Sequence, residues 1–468
     1  MPQTCLVRPT YSEGFSCIGS ACEDTCCQGW AVPIDQAAYQ KYQYLPLSPL
    51  RTLINANMLT MPEGAKPANF AKIQMNGENQ CPMLSKDRLC RIQAEIGEEH
   101  LSHACATYPR IIQSIAGIEE TALTLSCPEA ARLVLLSPNL LSNERLTSAE
   151  LPGNALVESS TADETPSLLA WFIPIRQAVL ALLGNRAYPL WQRLFLLGVF
   201  CRRLDSIAKG ELQRSIPAFL ADFKATVASG ALLTAMEALP LDRSAQLDVV
   251  LRLAGMLLRR SNVRPRFVEC VHAFTTGIGN GPGATLESLV GHYAQAHDHF
   301  YAPFFAHHPH ILENYLVNTI LRCRFPFGPE SAQARAPLSM TREYALLTAQ
   351  FALVKGFLIG VAGFHREGFS AAHVVHTVQA VSKHFEHHPE FLDLAHQLLV
   401  ESQMDGARGL AILLRNAQPA SASRAARPAS PAIRVPGPQD GRPVAEVLPL
   451  EASDPRPDAQ PVHRRAES

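Results

Sequence analysis

Eight cysteines near the start of the chain have the type and spacing of metal ligands: Cys17, Cys22, Cys26, Cys27, Cys81, Cys90, Cys105 and Cys127. Nine of the twelve cysteines lie between Cys5 and Cys127. Thiolates are soft ligands, and an all-cysteine set suits Zn2+ or an iron-sulfur cluster. The densest run is Cys17-Ile-Gly-Ser-Ala-Cys22-Glu-Asp-Thr-Cys26-Cys27, with four, three and zero residues between successive cysteines, so one loop presents several thiols to one centre. Four thiolates complete a site, and eight therefore imply two centres or a set of supporting cysteines. The competing chemistry is a disulfide framework, which needs an oxidising compartment. Met1 to Phe15 carry Arg8 and Glu13 and no apolar core, unlike a secretory leader. A reduced, cytoplasmic chain with metal-binding thiols is the expectation.

Other motifs carry less. Cys22 and Cys26 have the spacing that opens the radical S-adenosylmethionine motif Cys-x3-Cys-x2-Cys, but Gly29 stands where its third cysteine belongs. Gly277-Ile-Gly279-Asn-Gly281-Pro-Gly283 follows a helical pattern rather than a strand, so it reads as an interhelical loop and not a nucleotide fingerprint. Histidines cluster twice, at His292, His297, His299, His307, His308 and His310 and at His365, His373, His376, His384, His387 and His388. His373 with His376, or His384 with His388, could share a helical face and bind a metal, but solvent-facing or hydrogen-bonded rings are the default.

These residues sit on a mainly α chain. The reading is a cysteine-rich metal-binding N-terminal domain with little β over 1–137, a polar connector over 138–166, an irregular helical domain over 167–416 and a disordered Pro/Ala/Arg-rich tail over 417–468. In the first domain, Asp35 to Tyr44 and Ala130 to Leu136 read as helices, and Ile111 to Ile115 with Thr121 to Leu125 read as a hairpin. Apolar residues every three or four positions predict helices near 168–183, 188–208, 214–228, 243–260, 265–275, 285–301, 309–323, 341–361, 370–386 and 390–403. Breaks are expected at Pro189, Pro217, Pro265, Pro309 and Pro389. Ten of the 35 prolines fall in the last fifty residues, too polar a stretch to offset its ordering entropy. A near-neutral net charge of −1 gives no footing for a nucleic-acid backbone. The longest greasy stretch, Leu168 to Leu183, is broken by Pro174, Arg176 and Gln177, so no membrane insertion is expected.

Taken in order, several phrases resemble the flagellin lysine N-methylase family, whose N-terminal part is a zinc- or iron-chelating cysteine domain. They are Cys17 to Cys27, Gly29-Trp30 and Asp35, Cys81-Pro82 to Cys90, Cys105-Ala-Thr-Tyr108-Pro-Arg110, and Ser126-Cys127-Pro-Glu129-Ala-Ala-Arg132. Leu312-Glu-Asn314-Tyr315 and Phe325-Pro-Phe327 extend the likeness into the helical part, so it runs from about residue 10 to about 400. The resemblance implies methyl transfer from S-adenosylmethionine to lysine ε-amines of flagellin; composition and periodicity do not show that activity.

Such transfer needs a neutral lysine and an in-line approach in a dry site. The acid-base candidates nearest the cysteines are Glu23, Asp24, Asp35, Tyr108 and Glu129, each of which also reads as a cap, loop or core residue. Arg110 and Arg132 are candidates for the cofactor carboxylate, or for pairing with Glu129 and its neighbours. Two other functions fit the same motifs: a noncatalytic metal-dependent flagellin-binding module, and an iron-sulfur redox enzyme.

Overall fold

The computed structural model describes residues 5–7, 9–62, 65–115, 118–138, 140, 158–160, 168–259, 263–328, 339–386, 388 and 390–416. The expected tail, most of the connector and the break at Pro389 lie outside these residues.

The N-terminal part folds around its own small core. Asp35 caps the helix Gln36–Tyr44 by accepting from Ala38 N at 2.9 Å, and Ser48 caps Pro49–Ala56 through Arg51 N. The inner faces of these helices, Ala38, Tyr42, Leu50 and Ile54, pack with Ile34, Ala71, Ile73, Met83 and Ile92. A three-stranded antiparallel sheet completes the unit, with β2 (Pro33–Ile34) and β3 (Met58–Thr60) on either side of β4 (Ala71–Ile73). Strands of two or three residues carry too little alternation to show in a sequence pattern.

The expected hairpin is present as β5 (Arg110–Ile115) and β6 (Ile118–Leu123), with Arg110 opposite Leu123, so its second strand begins and ends earlier than expected. Short parallel strands flank it, β1 (Cys5–Val7) beside β6 and β7 (Glu158–Ser160) beside β5. The following helix, Pro128–Leu135, is buried on one side and joins a second, much larger core that includes Tyr11, Phe15, Leu123 and Leu125 and runs through the helical part to Leu414.

That helical part is organised on Met340–His365, a helix of 26 residues. Ser339 caps it, and Asp205 accepts from Met340 N and Thr341 N at 2.8 Å, so its first-turn donors are satisfied. Length and composition would let it cross a membrane, but its apolar window is wholly buried, which makes it the core helix. It, and not Leu168–Leu183, is the longest apolar segment among the described residues. Pro265–Gly277 crosses it at glycines: a Cβ on Gly277 would fall 1.8 Å from the Gly360 carbonyl oxygen. Helices Phe172–Leu183, Leu190–Asp205, Arg243–Leu258, His310–Arg322, Ala371–Glu386 and Phe391–Glu401 fall where periodicity places them.

Three local expectations are corrected. The helix Leu212–Ala228 continues through Pro217, because Phe219 and Phe223 pack on Phe200 with centroids 5.0 and 5.1 Å apart and hold it across the missing N–H. The single helix expected over 285–301 is instead Leu286–Ala296 followed by a π turn, His297–Tyr301, and then Ala302–His307. A helix at Ala407–Leu414 was not anticipated; the buried Lys355 ammonium ends it, donating to Leu413 O at 2.8 Å and Asn416 Oδ1 at 2.9 Å.

Buried polar side chains join the β5–β6 hairpin to the helices. Arg176 donates twice to Glu120 on β6, at 2.8 and 3.1 Å, and to Ile320 O and Phe325 O. Asn318 accepts from Tyr11 Oη and Leu123 N and donates to Leu123 O.

Candidate functional site: the cysteine loop and its helical cradle

The loop from Cys17 to Trp30 lies against the strand-like segment after Asn79. Cys81 N donates to Cys27 O at 2.7 Å, Gly29 N donates to Asn79 O, and Gln28 bridges Gln80. Cys90 closes the next turn by bridging Leu84. Cys105 comes from the short helix His103–Thr107, and Cys127 from the residue that precedes Pro128–Leu135.

Electrostatics connects these thiols. The Cys26 thiol is drawn down to about 7, first by the hydrogen bond from Cys27 and then, against burial, by the Lys383 ammonium. Cys27, as the donor, is pushed up by that bond, by burial and by Cys26, Cys90 and Cys81. Burial pushes Cys81 up to about 11 and Cys105 up to about 12, and both also feel Cys90 and Cys26. Cys127, raised to about 12 by burial, feels Cys22 and Cys26, and Cys22 in turn feels Cys17. All eight thiols thus belong to one chain of neighbours, while Cys201 and Cys270 are buried in the helical core. The donor chemistry fits a thiolate-held ion. Among the described residues, however, no three His, Cys, Asp or Glu side chains stand in an arrangement that could hold one. The thiols are neighbours but not a closed ligand set, and the histidine clusters form none either.

Helix Ala371–Glu386 cradles the loop. Gln379, Lys383 and Glu386 recur at helical spacing among buried Val374, Val378, Val381 and Phe385. Lys383 Nζ donates to Asp24 Oδ2 at 2.7 Å and Thr25 O at 2.8 Å. Gln379 Nε2 donates to Asp24 Oδ2 at 2.8 Å and Ser126 O at 2.9 Å, and Gln379 Oε1 accepts from Arg266. Glu386 accepts from Thr124 Oγ1 and lies 3.4 Å from Arg322. Burial alone would raise the Asp24 carboxyl; Lys383, Thr25 N and Gln379 outweigh it and hold Asp24 below its ordinary value. Gly29 completes the fit: its φ is +83°, and a Cβ there would overlap the Arg264 guanidinium at 1.5 Å.

The other sequence candidates have structural partners. Arg132 forms ion pairs with Glu23 and Glu129. Asp35 caps its helix and also accepts from His103 N at 2.8 Å. Tyr108 shares a hydrogen bond with Ser126 at 3.1 Å and stacks on Trp30 at 6.2 Å, and Trp30 Nε1 donates to Cys26 O at 2.6 Å. Arg110 donates to Phe15 O at 2.8 Å and lies over the Phe15 ring. Arg132 is thus paired with acids, one of the two roles its sequence context offered, and Arg110 is held by a backbone carbonyl and a ring. Lys383 and Gln379 were missed by sequence reasoning; the signal was a polar stripe on an otherwise apolar helix face, which requires a polar partner.

The phrases that carried the likeness in the helical part are structural. Glu313 accepts from Arg193 at 2.7 Å and Arg186 at 2.9 Å, and Asn314 donates to Val134 O and Ser137 O, ending the Pro128–Leu135 helix. The family model of the FliB lysine N-methylase C-terminal domain matches residues 176–413, which include the cradle helix and these anchors. The chain belongs to the FliB lysine N-methylase family. It is 25% identical over 374 residues to the lysine-N-methylase of Salmonella typhimurium (strain LT2), covering 75% of this chain and 86% of that protein. The lysine-N-methylase of Salmonella choleraesuis matches at 25% over 370 residues, with the same coverage. The flagellar biosynthetic protein FliU of Salmonella muenchen is 31% identical over 143 residues, 30% of this chain and 83% of that protein. No solved structure matches.

Proposed function

We propose that this chain transfers methyl groups from S-adenosylmethionine to lysine ε-amines of flagellin, and that a centre held by Cys17, Cys22, Cys26, Cys27, Cys81, Cys90, Cys105 and Cys127 is needed for that activity. The observation that carries the reading is membership of a lysine N-methylase family over more than half the chain, together with relatives named for lysine methylation and for flagellar biosynthesis. In the reaction the lysine nitrogen lone pair forms the new bond to the methyl carbon, the C–S bond breaks to leave a neutral thioether, and the ammonium product releases its surplus proton. A free lysine is mostly protonated at neutral pH, so the site must also take a proton from it first.

The centre is Zn2+ or an iron-sulfur cluster, and its bonding would draw Cys26, Cys27, Cys81, Cys90 and Cys105 together and order the loop. The chain's own part is clearer: Lys383 and Gln379 seat that loop on the family's helical domain, so a change in the centre is felt by the helices. Anaerobically purified protein, incubated with S-adenosylmethionine and flagellin, should add mass to flagellin in steps of one methyl group. Replacing Cys26 or Cys27 by Ser should abolish the gain and lower the metal content, whereas Cys201→Ser should do neither. Metal-loaded protein that binds flagellin without ever changing its mass would make the chain a binding module.

A further inference from the structure

Helix Ala371–Glu386, which carries the polar stripe under the cysteine loop, is fastened at its start by a histidine. Val374 N donates to Ser370 O at 3.1 Å, which makes Ser370 the N-cap. Ser370 N in turn donates to His373 Nδ1 at 3.2 Å, and Ser370 Oγ lies 3.1 Å from the same nitrogen. A side chain three residues into a helix that takes the N-cap N–H is half of a capping box, a place ordinarily filled by glutamate or glutamine. Histidine can fill it only while Nδ1 carries no proton, because an imidazolium has two donors and no acceptor. His373 is therefore neutral in this arrangement.

His365, the last residue of the core helix Met340–His365, lies flat on that ring, with centroids 3.7 Å apart and planes 17° apart. The stack ties the end of the core helix to the first turn of the cradle helix. The charged and titratable groups around it are His376 on the cradle helix, Arg266, Glu269 and His272 on Pro265–Gly277, and Arg366 and Glu367 in the turn between the two stacked histidines. On the remaining side Phe369 stands between His373 and Phe304, and His308 covers Phe304 at 4.6 Å. Glu269 lies 3.6 Å from His376, and among the described residues no ion pair joins a carboxylate to His365 or His373. A proton on His373 would thus remove the cap acceptor, put a cation at the positive end of the helix dipole and repel any charge on His365. Burial holds both rings below the ordinary 6.5, and His373 and His376 lower His365 further. The sign follows: what these rings add to stability is complete above 6.5 and is lost as pH falls through their lower folded values.

We infer that the stacked His365–His373 pair is an acid-sensitive catch on the cradle helix: the neutral rings cap and pin its first turn, and a proton on His373 releases that turn. Gln379 and Lys383, which seat the cysteine loop, follow on the same helix, so the catch makes the seat of the loop responsive to acid.

Hydrogen exchange of the full chain, resolved to single amides, reads the catch directly. Between about pH 7.5 and about pH 5.5, after correction for intrinsic exchange, the Ser370 and Val374 amides should lose protection by about fivefold, the worth of a helix cap. His373→Gln keeps an acceptor at the capping position and cannot take the proton, so it should hold its protection at both pH values. His373→Ala should show the acid-state exchange already at about pH 7.5, and His365→Phe, which keeps the ring without a charge, should make the acid loss smaller. If the parent keeps full protection at Ser370 and Val374 in acid, or if His373→Gln loses it as the parent does, there is no catch. None of these readouts uses methyl transfer, so their failure leaves the methyltransferase reading untouched.

Discussion

Substitution of Asp24 and Lys383 tests whether the cysteine loop is seated by a buried ion pair. The side chains are 11% and 4% exposed, and their charged atoms are 2.7 Å apart. Removing one partner of such a pair leaves the other buried and costs about 3–5 kcal/mol. Lys383 keeps Thr25 O, so Asp24→Asn should cost about 3 kcal/mol, at the lower end of that range. Lys383→Met should cost less, about 2 kcal/mol, because Asp24 keeps Gln379 Nε2 and Thr25 N. The double variant should lose less than the sum, with a coupling of about 2 kcal/mol. Denaturant titration followed by tryptophan fluorescence reads these values, since Trp30 is bonded to the loop at Cys26 O. The pH dependence has a defined sign. Asp24 is held below its unfolded value of 3.8, so its contribution is complete above that pH and is lost as pH falls through the lower folded value. Asp24→Asn should flatten that acid limb. Additive single and double variants, or single variants within about 0.5 kcal/mol of the parent, would refute the clasp.

Gly277→Ala should destabilise by about 3 kcal/mol or more, measured by denaturant titration, because its methyl would meet the Gly360 carbonyl and force two core helices apart. Glu120→Gln should cost about 3 kcal/mol in the same assay, since it leaves the Arg176 guanidinium, 5% exposed, without its carboxylate. Burial raises Glu343 from 4.5 to about 6, with Arg342 opposing, so stability should fall as pH rises from 4.5 through 6, by about 2 kcal/mol from this group. Glu343→Gln should remove that fall, and an unchanged pH profile would exclude Glu343 as its source.

The helical part was legible because its signals are local. Apolar spacing together with Pro265 and Pro309 marks where two of the helices begin, and Asp35 announces its helix as a cap. What escaped was set by contacts distant in sequence. The three-stranded sheet pairs residues near 34, 59 and 72, each too short to show a period. The helix Ala407–Leu414 is ended by Lys355, far away in the chain. The π turn follows from packing and leaves no mark on the 3.6-residue pattern. At the site, the pairing of Arg132 with Glu129 was one of the readings the sequence offered, but not that Asp24 and Arg110 are engaged by Lys383 and Phe15. Those partners lie on other elements, and only the polar stripe Gln379–Lys383–Glu386 hinted that a helix face had a polar surface to meet.

The most direct measurement of the central claim is isotope transfer. Flagellin incubated with this protein and S-adenosylmethionine carrying a deuterated methyl group should yield tryptic peptides with the deuterated label on lysine, and Cys26→Ser should yield none. Flagellin that is bound by intact, metal-loaded protein but carries no label on any lysine would contradict the account.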